Sequence, residues 1–89
     1  MMKIKDGYIL KDVAGSKIVI ATGNARMDFN GVITFNEVGA EIFTLLNGEN
    51  TPDQIVKKIS QEYNVGEDIV SRDFNALVEK LRKYNMLDE

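Results

Sequence analysis

Few residues in this 89-residue chain have the chemistry of a catalyst. It contains no histidine and no cysteine, which removes Ser-His and Cys-His nucleophiles, His-based zinc sites, thiolate ligands and disulfides. Glu37 and Glu41 stand four apart, a spacing that puts two carboxylates on one helix face within reach of a shared divalent cation. A hard cation asks for roughly six to eight oxygens, so the pair reads as solvated charge and no metal is expected. Tyr8, Tyr63 and Tyr84 carry hydroxyls that can move a proton, but among apolar neighbours they read as amphipathic edges of a core. The glycines form neither GxxxxGK[ST] nor GxGxxG, so no phosphate cradle and no nucleotide cofactor is expected. Arg72, Asn75, Lys80 and Arg82 could face a nucleic-acid groove from one helix. Asp68, Asp73 and Glu79 are interleaved with them, and the chain carries a net charge of −3 with a pI near 4.9. Phosphate-backbone affinity comes from clustered cations, so nucleic acid is not the expected partner. The residues point away from an enzyme and toward a binding surface.

The elements that would build such a surface are readable. At this length one domain over residues 1–89 is expected. Gly7 to Val13 and Ser16 to Thr22 read as strands joined by Ala14-Gly15, a hairpin-length turn. In the second strand Ile18 and Ile20 share one face and Lys17, Val19 and Ala21 the other, so one side can meet a core while its opposite stays partly wet. Gly31 to Phe35 is a third strand rich in β-branched and aromatic residues. At Asn36 the apolar period changes from two to 3.6. Asn36 is an N-cap, and Val38, Ile42, Leu45 and Leu46 recur with helical spacing until Asn47-Gly48. Thr51-Pro52-Asp53-Gln54 starts a second helix with a capping box and proline at the first helical position; Ile55, Val56, Ile59 and Tyr63 form its stripe, and Asn64-Val65-Gly66 ends it. A third helix runs from Glu67 or Asp68 to about Tyr84. Val70, Phe74, Leu77, Leu81 and Tyr84 make its core face, Ile69, Asp73, Ala76 and Lys80 one mixed flank, and Val78 the other. Met86-Leu87 is expected to fold back as an apolar anchor. The fold class is α+β, a winged-helix-like three-stranded antiparallel sheet followed by three helices.

A sheet of three strands has edges. From Phe29 to Phe35 the third strand carries no charge and no proline, the devices that normally blunt an edge. An unblunted edge accepts an extended peptide as an added strand, with main-chain bonds for affinity and pockets for selection.

The order of strands and helices, the Phe35-Asn36 junction, Ile42-Phe43 with Leu46 and Gly48, Thr51 and Ile55, then Asp73-Phe74 followed by Leu77, Leu81 and Leu87, resemble the PqqD family over nearly the whole chain. The resemblance implies a RiPP recognition element. Such a domain is a non-catalytic, cofactor-free chaperone that holds the leader of a ribosomally made precursor peptide against its third strand, in the groove beside the third helix. It presents the leader to a separate modifying enzyme, often a radical SAM protein. Carried onto this sequence, the peptide contacts fall on Gly31, Val32, Ile33 and Thr34, and on Asp73, Ala76, Leu77 and Lys80, with Val78 and Leu81 as the alternative flank. Two positions depart from the family. Asn30-Gly31-Val32-Ile33 stands where quinone-pathway members have a Leu-Tyr-Pro-Glu-like segment, which favours a pathway other than pyrroloquinoline quinone, and Phe43 stands where many relatives have Trp. A winged-helix DNA-binding regulator is the competing expectation. The first residues lack a secretory signal, so a cytoplasmic protein without membrane contact is expected, as a monomer or weak homodimer.

Overall fold

The computed structural model describes residues 2–28 and 31–89, which places Phe29 and Asn30, at the lead-in to the third predicted strand, outside the described residues. In chain order the elements are β1 (Lys3–Ile4), β2 (Tyr8–Val13), β3 (Ser16–Ala21), α1 (Ala25–Asp28), β4 (Val32–Phe35), α2 (Glu37–Leu45), α3 (Pro52–Tyr63), α4 (Glu67–Lys83) and β5 (Leu87–Asp88).

Strands β2, β3 and β4 form an antiparallel sheet in that order. The β2–β3 hairpin closes on Ala14 and Gly15 at φ 52° and 84°, the pair of left-handed residues whose twist matches that of the flanking strands. Val19, Ala21, Ile33 and Phe35 are buried against the helices, and Ile18 and Ile20 stand half-buried on the outer face. That assigns the two faces that the alternation alone had left open. Beyond the hairpin, Gly7 sits at φ 98° with its Cα so close to Ala25 that an added Cβ would lie 2.8 Å from the alanine's. Ala25 belongs to the short helix α1, which joins β3 to β4. A single turn of four residues has too little apolar periodicity to be read.

Helices α2 and α3 start at the caps that the sequence names, whereas α4 follows Gly66 with no side-chain cap. Asn36 accepts the Gly39 N–H at 2.8 Å. Thr51 and Gln54 exchange backbone-to-side-chain bonds of 2.8 and 3.2 Å in a capping box, and Asn64 ends α3 in the left-handed conformation. Val70, Phe74, Leu77, Val78 and Leu81 of α4 are buried with Ile55, Val56 and Ile59 of α3 and Ile42, Phe43, Leu45 and Leu46 around α2. Val78 thus belongs to the core face, while Tyr84 is only half-buried. After α4, Asn85 turns at φ 58° and drives the fully buried Met86 inward. Leu87 then pairs with Ile4, and the Ile4 N–H donates to the Leu46 carbonyl at 3.0 Å. The expected anchor is therefore a two-stranded ribbon that ties both ends of the chain to the end of α2. Among the described residues no helix is long and apolar enough to cross a membrane.

Candidate functional site

Hydrogen-bond phase decides which atoms of β4 face outward. The Thr22 N–H donates to the Gly7 carbonyl at 2.6 Å, so this pair exchanges bonds across β2 and β3. Bonded and non-bonded pairs alternate along an antiparallel ladder. With Tyr8 opposite Ala21 and Val13 opposite Ser16, the residues of β3 that bond to β2 are Ser16, Ile18 and Ile20. Lys17 and Val19 then turn their main-chain groups to β4, where the register sets Phe35 and Ile33 opposite them. Val32 and Thr34 are left with N–H and C=O directed out of the sheet. Among the described residues nothing bonds to them.

The same alternation sorts the side chains. Ile33 is 4 % exposed and Phe35 9 %, whereas Val32 and Thr34 are open to solvent. Phe35 packs on Phe43 with ring centroids 5.9 Å apart, locking β4 to α2. Gly39 permits this close junction, since a Cβ there would stand 3.2 Å from the Asn36 side chain and 3.3 Å from that of Phe35.

Beside the open edge lies a cleft of about 270 Å³, lined by Thr34, Phe35 and Asn36, by Val38, Gly39 and Ile42 of α2, and by Asp73, Ala76 and Leu77 of α4. Small-molecule sites usually enclose roughly 300–1,000 Å³, so a shallower cleft running along a strand suits the side chains of an extended chain better. Asp73 is exposed and places a negative charge on an otherwise largely apolar wall.

Four of the eight residues expected to contact peptide meet in this cleft: Thr34, Asp73, Ala76 and Leu77. Val32 lies on the edge beside it, and Gly31 precedes β4 at an exposed bend. Ile33 needs correction in one respect: it turns its main chain to Val19 and its side chain to the core, so the outward main-chain groups are those of its neighbours. Lys80 lies on the helix turn after Ala76, exposed and outside the cleft lining. The alternative flank is closed, because Val78 and Leu81 are 3 % and 0 % exposed. Asn36, Val38, Gly39 and Ile42 also line the cleft. Sequence reading had placed Asn36 in a cap and Val38 and Ile42 in a core stripe; nearness to the strand-to-helix junction was the available signal.

Glu37 and Glu41 border a separate cleft with Lys17 and Tyr63. Desolvation pushes the Tyr63 phenol above its usual range, with Glu62, Glu41 and Glu37 adding to the effect, so it stays protonated. Among the described residues no three acidic side chains converge to hold a metal ion.

Fold and site define a small α+β domain of winged-helix-like build whose distinguishing feature is an open strand beside a cleft. The chain belongs to the PqqD family: its sequence matches the family described as coenzyme PQQ synthesis protein D over residues 9–87. A search of curated proteins found no match. Among solved structures, TbiB1 in complex with the TbiA(beta) leader peptide is 23% identical with a TM-score of 0.74, over 97% of this chain and 94% of that one. A lasso peptide synthetase B1 complexed with its leader peptide is 18% identical with a TM-score of 0.76, over 99% and 98%. The solution structure of the PqqD truncation of Methylobacterium extorquens PqqCD, a stand-alone RiPP recognition element, is 17% identical with a TM-score of 0.78, over 99% and 88%.

Proposed function

We propose that this chain is a peptide chaperone that binds the leader of a ribosomally made precursor as a fourth strand on β4. It hands that peptide to a separate modifying enzyme, a radical SAM protein on the family pattern, and carries out no chemistry itself. The observation that carries this reading is the open edge: the main-chain groups of Val32 and Thr34 point outward beside a cleft that can take alternate side chains of an added strand. Two solved structures of this fold hold a leader peptide, which supports the same assignment. The reading carries with it a single domain acting in the cytoplasm, where the precursor is made.

The competing DNA-binding reading has less support. Arg82, one of its four groove-facing candidates, is held by Glu79 at 2.5 Å and Glu89 at 2.7 Å, so its charge is already answered.

Amide hydrogen exchange in the presence of synthetic leader segments of candidate precursor peptides tests the proposal. The expected result is new protection at Val32 and Thr34, with Ile33 and Phe35 protected in both states. A bound peptide that leaves Val32 and Thr34 exchanging as before would overturn it.

A further inference from the structure

Two full cross-strand rows, with the Val13–Ser16 pair beyond them at the hairpin end, cover the sheet face turned away from the helices. The register sets Ile9, Ile20 and Val32 side by side in one row, and Lys11, Ile18 and Thr34 in the next. Ile9 is 40 % exposed and Val32 59 %. Strand propensity favours β-branched residues, yet a solvated sheet face normally alternates to polar ones. Here four of six positions are Ile or Val, and the one charge is a cation in a chain of net charge −3. A contiguous aliphatic patch beside a lone positive charge has the chemistry of a surface that another protein covers.

Position indicates which protein. Val32 and Thr34 belong to two surfaces at once: their main-chain groups point out along the sheet plane, and their side chains stand on the outer face. A strand added at β4 would send every second side chain onto that face and lengthen each row by one residue. Whatever covers the face therefore also touches the bound peptide. We propose that the outer sheet face is the docking surface for the enzyme that modifies the peptide, which would meet it with an aliphatic surface and a carboxylate opposite Lys11, and that the bound leader completes this surface. The proposal rests on the leader-binding reading and adds a partner surface to it. Because coupling is reciprocal, the enzyme must then bind the loaded chain more tightly than the free one, and the peptide must bind more tightly when the enzyme is present.

The test uses the full chain with Ile9→Ser and Lys11→Glu, both on β2, two strands from the peptide edge and outside the cleft. Binding of a purified candidate modifying enzyme, a radical SAM protein on the family pattern, is measured by interferometry, with the chain free and loaded with leader. The expected result is at least a tenfold loss of enzyme affinity in the double variant, with leader affinity within twofold of the parent. If the double variant fails to fold, the exposed Lys11→Glu change alone carries the test, with a loss of threefold or more expected. Unchanged enzyme affinity overturns the proposal. So does a concentration-dependent dimer of the parent chain that the variant abolishes, because the face would then belong to a second copy. If the leader fails to bind the parent chain, the proposed function falls, while the enzyme titration of the free chain still decides the docking face by the same loss or its absence.

Discussion

Replacing Thr34 with proline removes a single outward N–H from the open edge and should separate peptide binding from folding. In the free protein that N–H has no partner among the described residues, and the side chain is exposed, so the sheet loses no ladder bond. Proline is tolerated on an edge strand in this orientation. Its fixed φ lies some way from the extended value, and the expected cost to stability is about 1 kcal/mol. Binding should suffer more. One main-chain bond disappears, and the peptide carbonyl that would have accepted it is buried unpaired, together about 1.5–3 kcal/mol, or roughly 10- to 150-fold in Kd. Ile33→Pro is the contrasting variant. Its N–H serves the bond to β3 and its side chain lies in the core, so it should destabilise the fold by roughly 3 kcal/mol or more before any peptide is added. Calorimetry against the leader and urea unfolding measure the two effects in parallel. A folded Thr34→Pro chain that binds with the parent's affinity would refute the edge argument. A stable Ile33→Pro beside an unfolded Thr34→Pro would show that the hydrogen-bond phase is the reverse of the one deduced.

Filling the cleft at exposed Ala76 with Trp should weaken leader binding by about tenfold, the loss of about 1.4 kcal/mol, while thermal stability stays near the parent's, checked by calorimetry and a melting curve. Thr51→Ala breaks the capping box of α3 and should cost about 1 kcal/mol, seen as a fall of roughly 4–8 °C in Tm; no change would show that tertiary packing alone sets where α3 begins. Gly7→Ala meets both a left-handed backbone and the Ala25 Cβ, so urea unfolding should show clear destabilisation, whereas Gly15→Ala, with open space around it, should show only the backbone cost. Acid stability follows from two exposed pairs. Hydrogen bonding and charge from Lys17 hold the Asp12 carboxyl below its ordinary value, and Arg82 does the same for Glu89. A depressed folded value means stabilisation present above the unfolded pKa and lost as pH falls through the folded one, so Tm should decline in acid below the usual carboxylate range. Asp12→Asn should flatten part of that decline, and only slightly, because exposed pairs contribute little.

Local chemistry made most of the fold legible. Asn36, Thr51-Pro52 and Asn64 act through bonds to residues three or four positions away, so caps and stops appear in the string itself, and α2 and α3 begin and end within a residue or two of the signals that the sequence carries. The Ala14-Gly15 turn is equally local. The ribbon of β1 and β5 was not readable, since Ile4 and Leu87 lie at opposite ends of the chain and two-residue strands have no period. For the site, the uncharged run around β4 marked the edge, and helical spacing put Asp73, Ala76 and Leu77 near one flank.

The amino-acid order alone determined that this chain has no histidine or cysteine chemistry, that strands give way to helices at Asn36, and that one strand carries no guard. Only the tertiary structure decided that β4 is an edge, that Val32 and Thr34 rather than Ile33 turn their main-chain groups outward, and that Val78 joins Leu81 in the core instead of lining the groove. The reason is physical: side-chain alternation is a property of one strand, whereas hydrogen-bond phase depends on the register with the next. That phase was passed to β4 through β3 from a hairpin more than ten residues away.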